Sequence, residues 1–554
     1  MAGSRSSRQP LGDAMPNRPR SRLTRTGVFG RHLGIYWHPC LARTGLDVTT
    51  TSHRLQMSRL STFLILLCVS VPSFMINLDA NIVAVSLPSI AHSLGASFAD
   101  VEWVISAYTL TFASFVLPGG TLGDRFSRKR ILLIGLFLFT AASFVCGAAP
   151  NAMTINLARA VQGLGAAFQL SAALAILSFE FRGPARAKAF AFWGTVIGIA
   201  MTLGPICGGF ITQTIGWEWA FYINIPIGLV LMIATSIAVK DSRDPLTTRL
   251  DLLGLVLFSS ALFSVTFALI PGNQHGWGGQ SVVGAFVAAA ILAIAFVIAE
   301  TRQERPMVDL SYFRHPTYIG ATIATLGSAT VNATTLTYLP LYFQSALDRS
   351  PQSAGLMILP VALPMLIIPR IVSAYLSHRV SGRDLVSIGL LLSAVDLLSL
   401  GYGAARQSFE LMMPGLVLVG MGAGFMNGEI ARVSMTVFPP ERAGMAAGMG
   451  GTVRFAGIVL AFATLGAILF AVIVQDLSKL TSDARSLAQQ LMSGAHVDGL
   501  PSKATAIVAQ GYSAIFFIVG GLIFAATLAA WFLISRKDTA PVSAPPAPVP
   551  ITAE

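Results

Sequence analysis

Apolar runs of about 20 residues, the length of helix that crosses a bilayer's hydrocarbon, recur along this chain from residue 60 to residue 534, and nearly all Lys and Arg outside the N-terminal tail falls in the short stretches between them. Hydrocarbon offers a peptide group no hydrogen-bond partner, so each run must satisfy its own N–H and C=O groups, and runs of this length do so as helices. They lie near residues 60–84, 101–122, 130–149, 153–178, 188–212, 219–239, 250–270, 281–299, 317–344, 352–376, 385–404, 411–436, 444–474 and 511–534. This pattern predicts an all-α integral membrane protein of about fourteen transmembrane helices. Charge agrees: only 11% of the 554 residues are Asp, Glu, Lys or Arg, whereas a soluble chain carries about 25%.

Cytoplasmic loops of such bundles are rich in Lys and Arg. Connections that must share one side carry Arg125, Arg128, Lys129 and Arg130, then Arg182, Arg186 and Lys188, then Lys240, Arg243 and Arg249, and later Arg302, Arg305, Arg314, Arg379, Arg383 and Arg442. Opposite connections near 91–100, 149–153, 213–218 and 271–280 carry none. The basic side is therefore expected to be cytoplasmic. An even number of spans returns Arg536 and Lys537 to it, which places both termini in the cytoplasm and the protein, multi-pass, in the cytoplasmic (inner) membrane.

The formal charge of +12 does not indicate nucleic-acid binding, because residues 1–59 hold ten Arg against Asp13 and Asp47. That basic tail has no apolar run and is no signal peptide. Two readings stand: it meets anionic lipid head groups, or Met57, just ahead of the first span, is the true start. The end, 535–554, is Pro/Ala-rich from Pro541 and reads as a disordered tail. Cys40, Cys68, Cys146 and Cys207 stand singly, which predicts neither a disulfide framework nor a metal site. The chain carries no HExxH, GxSxG or P-loop pattern, which argues against an enzyme and against ATP as the energy source; no cofactor is expected.

Polar residues inside the apolar runs carry the functional information, since ionisable groups at membrane depth are costly and tend to line pathways or proton relays. Between the second and third runs stands Gly120-Thr121-Leu122-Gly123-Asp124-Arg125-Phe126-Ser127-Arg128-Lys129-Arg130. It resembles the loop motif G-x-L-x-D-R-x-G-R-K/R of the major facilitator superfamily, with Ser127 where glycine is usual. Glycines let helices approach, and Asp124 can pair with a base or cap a helix end; the resemblance implies that Gly120, Gly123, Asp124, Arg125, Arg128 and Lys129 belong to a cytoplasmic gate. Leu376-Ser377-His378-Arg379-Val380-Ser381 repeats part of the motif 254 residues later, with His378 replacing the acid. Two duplicated halves follow, as this fold expects.

Further patterns sharpen the resemblance. Arg159, Gln162, Gly163, Gly165 and Ala166 resemble the family's R-x-x-Q-G-x-G-A pattern, which implies a part for Arg159 in proton coupling; snorkelling to the interface is the alternative. Gly204-Pro205 and Gly208-Gly209 are close to the G-P-x-x-G-G signature that marks antiporters, and would make a kinked, closely packed helix able to rock against its neighbour. The run from Trp217 to Gly228 is similar to W-R-W-x-F-x-I-N-x-P-x-G of the fourteen-helix drug:proton antiporter branch (EmrB/QacA type), with Glu218 in place of arginine. Leu78-Asp79-Ala80-Asn81-Ile82-Val83 resembles that branch's L-D-x-T-I-V. A carboxyl withdrawn from water favours its neutral form and can exchange a proton near neutral pH, which makes Asp79 the leading proton or cation site, against a structural carboxyl bonded to helix ends. Asp396, Glu429, Arg432, Arg454 and Asn427 also fall inside predicted spans; Glu429 and Arg432 are spaced for a simple ion pair on one helix face.

The resemblance implies a major facilitator fold: a six-helix bundle over 60–239, two linker helices with their loops over 240–316, and a second six-helix bundle over 317–534. It also implies a proton-coupled efflux antiporter of small amphipathic drugs, working by alternating access. The expected partners are the lipid bilayer, a small amphipathic substrate and protons, with a periplasmic adaptor and outer-membrane channel as further candidates, and no nucleic acid. A dedicated exporter of one metabolite, siderophore or antibiotic, and a transporter-like membrane sensor, are the competing readings.

Overall fold

The computed structural model describes residues 59–539 except 182, 243–250, 276, 304–305, 307, 427, 439–442, 482 and 493–501. Residues 1–58, among them Met57, residues 540–554 and Asn427 lie outside the described residues. The first residues of the expected C-terminal tail instead pack on the helical body, where the Thr539 carbonyl accepts from the Gly382 N–H at 2.9 Å and Asp538 accepts from Thr317 at 2.6 Å. Within them no strand forms, and long helices follow the predicted order: α1 (Arg59–Leu94), α2 (Phe98–Arg125), α3 (Arg128–Gly147), α4 (Ala152–Glu180), α5 (Gly183–Thr214), α6 (Trp219–Tyr222 and Asn224–Ala238), α7 (Leu252–His275) and α8 (Gln280–Arg302). Then come α9 (Pro316–Ala333, a π-helical Thr334–Tyr338, and Leu339–Ser345), α10 (Pro351–Leu356, Leu359–Ile371 and a π-helical Val372–Leu376), α11 (Gly382–Ala405), α12 (Phe409–Met426 and Glu429–Met435), α13 (Ala443–Leu477) and α14 (Ser502–Leu533). Thirteen of these are long and apolar enough to span a membrane; the fourteenth, α9, is Thr-rich and less apolar. A short helix, Ala484–Met492, lies between α13 and α14.

Local chemistry starts these helices where the loops end. Ser97 and Asp100 cap α2 reciprocally, Asn151 caps α4 through the Thr154 N–H at 2.9 Å, and Pro316 and Pro351 open α9 and α10. Ser127 caps α3 by accepting from the Arg130 N–H. Its φ of 167° is extended backbone, so the loop does not need the glycine usual there. Ser381, at the repeat offset, caps α11 in the same way through the Asp384 N–H. Helix α1 runs past the expected end at 84 because Ser86 returns its hydroxyl to the Ile82 carbonyl and meets Thr212 of α5 at 2.7 Å.

Packing divides the helices into two groups: α1 lies on α5, α2 and α3 on α4, and α6 on α1 and α3, while α9 lies on α13 and α14, α10 on α12, and α11 on α12 and α14. The α7–α8 hairpin docks through α7 on α2 and α13. The seam between the groups is α2 on α13 and α5 on α10. Glycines set the closest approaches. A Cβ at Gly165 would stand 2.6 Å from the Phe139 amide of α3, and one at Gly163 would strike the Tyr108 carbonyl of α2. Large apolar side chains such as Phe137, Ile237 and Phe532 are exposed; a surface like this is solvated by lipid, not water.

The seam is shut on the side away from the basic loops. There Gln344 donates to the Val85 carbonyl at 3.0 Å, Gly209 meets the Pro351 carbonyl, and Gly355 meets that of Pro205. Ala461, Leu465 and Arg454 share one face of α13, being seven and eleven residues apart, opposite the face that receives α7 through Ala456 and Leu460. Ala461 and Leu465 are buried, whereas Arg454, about two turns nearer the basic side, is exposed. The seam is thus tight on the side away from the basic loops and leaves Arg454 exposed on the side toward them.

Backbone atoms do not yield as side chains do, so a methyl at Gly165 should destabilise by about 1–3 kcal/mol. Gly120→Ala, whose nearest atom is 3.9 Å away, should be neutral. Thermal unfolding of the two purified variants in micelles checks this contrast.

Candidate functional site

Asp79 lies near the middle of α1 and Arg159 two turns into α4, and α1 and α4 pack together, which brings a carboxylate and a guanidinium face to face. Arg159 Nη1 stands 2.7 Å from Asp79 Oδ2, and both side chains are sealed from solvent. The other oxygen, Oδ1, accepts from Gln162 Nε2 at 2.9 Å and from Asn224 Nδ2 at 2.8 Å. Gln162 also donates to Ser143 of α3 at 2.8 Å and accepts from Arg159 at 2.6 Å. Arg159 Nε reaches the Val104 carbonyl of α2 at 2.9 Å, and its guanidinium lies 4.0 Å from the centre of the Tyr108 ring. One carboxylate thus ties together five helices, α1, α2, α3, α4 and α6.

Arg159 and Gln162 share a helix face by their spacing of three, and Gly163 and Gly165 let α2 and α3 close around them. Asn224 opens the second piece of α6; the motif around it implies no role for it, and the one signal the sequence holds is a single Asn at the head of an apolar helix. Asp79 is bonded to side chains of other helices rather than to helix ends.

The gate motif forms a separate cluster at the basic end. Asp124 pairs with Arg128 at 2.7 Å, and Arg128 covers the Phe179 ring of α4 at 4.9 Å. Lys129 donates to the Ser236 carbonyl at 2.7 Å, Ser127 bonds Asp241, and the Arg128 N–H reaches the Ser242 carbonyl at 3.0 Å. The loop is thereby anchored to the end of α6. Arg125 lies over its neighbour Phe126. Gly123 sits beside Arg128, but the tight glycine against α4 is Gly119, with Ser171 Oγ 2.7 Å from a Cβ placed there, rather than Gly120.

The antiporter-type glycines separate by face. Gly204 and Gly208 turn to α1, where they touch Asn81 and Ile82, while Gly209 turns to α10 of the other group. Helix α5 thus presents small residues to both neighbours. Glu429 and Arg432 pair at 2.7 Å beyond the break at Gly428, whose φ is +88°, and Arg432 lies against Gly382 at the start of α11. Asp396 is buried between α11 and α12 beside Gly415, and among the described residues neither of its oxygens has a hydrogen-bond partner. Arg454 has no carboxylate within ion-pair distance among the described residues, and Arg370 of α10, a further arginine inside a predicted span, reaches Thr195 of α5 at 3.4 Å. No group of His, Cys, Asp and Glu suited to a metal occurs among the described residues.

A sequence profile described as Major Facilitator Superfamily matches residues 69–462. The chain is 36% identical over 411 residues to the multidrug resistance protein Stp of Mycobacterium tuberculosis, covering 74% of this chain and 76% of that one. It is 31% identical to the puromycin resistance protein pur8 of Streptomyces alboniger, covering 86% and 92%. Among solved structures, a D-xylose–proton symporter superposes with a TM-score of 0.60 at 14% identity, over 86% of this chain and 99% of that one, a likeness of fold alone.

Removing one partner of a buried ion pair strands the other and costs about 3–5 kcal/mol, whereas neutralising both is far milder. Arg159→Gln should therefore lower the unfolding temperature in micelles markedly, and adding Asp79→Asn to it should recover part of the loss.

Proposed function

Because this chain belongs to the Major Facilitator Superfamily, we propose that it is an efflux transporter that exchanges small amphipathic compounds for protons across the cytoplasmic membrane, with its basic loops and both termini on the cytoplasmic side. The observation that carries the coupling is the Asp79 carboxylate, sealed from water and held by Arg159, Gln162 and Asn224. Relatives named for multidrug and puromycin resistance support the substrate class and the outward direction.

In the conformation open to the basic side, Asp79 is the proton-free partner of Arg159. A proton that adds to Oδ2 makes the neutral acid, removes the charge attraction across α1 and α4, and leaves Arg159 held by the Val104 carbonyl and the Tyr108 ring on α2. Helix α2 lines the seam, where the Phe112 ring packs, tilted by 35°, against Phe455 of α13 with centroids 4.0 Å apart, next to Arg454. A change in how Arg159 is held is thus delivered to a helix that forms the seam. Substrate favours the conformation in which Asp79 is ionised and the proton favours the alternate one. Two ligands that bias one equilibrium in opposite directions exchange for each other.

Arg454 and Arg370 place cations, with no carboxylate within ion-pair distance among the described residues, on helices that meet at the seam. This charge favours neutral or acidic amphipathic compounds over lipophilic cations. The two-group architecture with its linker hairpin supports transport rather than sensing.

In everted vesicles, a proton gradient should drive uptake of amphipathic dyes with release of protons, and Asp79→Asn should abolish the exchange while the protein still reaches the membrane. Gradient-independent uptake, or full exchange in the variant, contradicts the reading. Arg454→Gln should slow acidic dyes several-fold and leave cationic dyes nearly unchanged in the same assay.

A further inference from the structure

Glu102 stands in the second turn of α2, on the side of the molecule where the seam is shut, and it is 1% exposed. Among the described residues neither carboxylate oxygen has a hydrogen-bond donor. Its head is pressed into α13 at Gly466, where a Cβ would collide with Oε1 and would also stand 2.9 Å from the Tyr338 hydroxyl. Tyr338 belongs to the π-helical turn of α9 and spends its hydroxyl on the Phe462 carbonyl at 2.6 Å, so it gives Glu102 nothing. The carboxyl thus belongs to one helix group and is buried by two helices of the other.

The surroundings supply no compensating charge. Helix α13 offers glycine and backbone there, and α7 offers the apolar Leu269 and Ile270, packed with Ala99, Trp103 and Ala463. Helix α9 offers the Tyr338 phenol, backed by Tyr512 of α14. On α2 itself, Asp100 is occupied with capping at Ser97; Arg159, on the neighbouring α4, faces Asp79. Arg485 of the short helix Ala484–Met492, which touches α2, is exposed. An ionised carboxylate buried with no donor and no counter-charge costs several kcal/mol, and such a group takes up a proton instead.

We propose that Glu102 is a second proton-binding site, filled when the seam opposite the basic loops closes and emptied when it opens. Closure buries the head against Gly466 and Tyr338 and admits only the neutral acid. Opening returns it to water, where the carboxylate is the favoured form. The proton comes from, and returns to, the compartment on that side. It therefore adds nothing to the net exchange through Asp79, but makes closing of the seam depend on that compartment's acidity. A carrier that has just released its cargo outside would close readily only where protons are plentiful. This inference rests on the alternating access of the proposed function, and its test needs no transported compound.

Spin labels on His92→Cys and Arg349→Cys, exposed positions at the ends of α1 and α9 on the shut side, report the seam in purified protein whose native cysteines are replaced. In an Asp79→Asn background, which removes the opposite response argued for Asp79, acidic buffer should give the short inter-label distances, and alkaline buffer should shift the distribution to long ones. Glu102→Gln and the apolar Glu102→Leu should hold the short distances in both buffers. An unchanged pH response after Glu102→Gln in that background overturns the proposal, as does a seam there indifferent to pH. Loss of dye exchange in vesicles with the pH response intact would instead count against the proposed function and leave this site standing.

Discussion

The Asp79 carboxylate is the point on which the first helix group depends. A charge at this depth is tolerated only where donors surround it, and here they come from Arg159, Gln162 and Asn224 on two other helices. Those donors are placed by packing that is itself unusual. Helix α4 approaches α2 and α3 closely enough at Gly163 and Gly165 for one guanidinium to reach a carboxylate on α1 and a carbonyl on α2. Replacing such a pair by apolar residues is often neutral for stability, so stability alone does not explain its presence. The proposed role, in which the group changes its charge and with it the tie between helices, does.

The seam between the two helix groups follows a different logic. It is built of small residues and backbone, with Gly209 against α10, Gly355 against α5 and Gly466 against α2, and its few hydrogen bonds, such as Gln344 to the Val85 carbonyl, are easily exchanged for water. Surfaces of this kind slide and separate at low cost. The two buried carboxyls among the described residues of this half contrast accordingly: Asp79 has three donors and lies within a group, whereas Glu102 has none among the described residues and lies between groups. One suits the ionised form and the other the neutral form in the same conformation.

The fold was legible because hydrocarbon leaves a long apolar run one way to satisfy its backbone, and the fourteen expected runs correspond to the observed helices. Their ends were less so: Ser86 and Pro88 look like loop residues, yet Ser86 bonds its own helix and α1 continues. The pairing of Asp79 with Arg159 brings together two residues picked out separately by their cost in a membrane. Their third and fourth partners were harder to see, since neither Gln162 nor Asn224 carries charge. Glu102 was missed because a carboxyl in the second turn of a span reads as an interfacial group. Only the arrival of α13 and α9, from the other half of the chain, buries it. Gly119 rather than Gly120 takes the close contact with α4 because the motif specifies loop chemistry, while helix rotation decides which of two adjacent glycines faces a neighbour.

The central claim is that substrate and proton compete through Asp79, and the direct test is proton release on substrate binding to the purified protein. In weakly buffered micelles with a pH indicator, adding a transported compound should release protons from the wild type and none from Asp79→Asn that still binds it. Equal release from both would place the exchanged proton elsewhere and contradict the account.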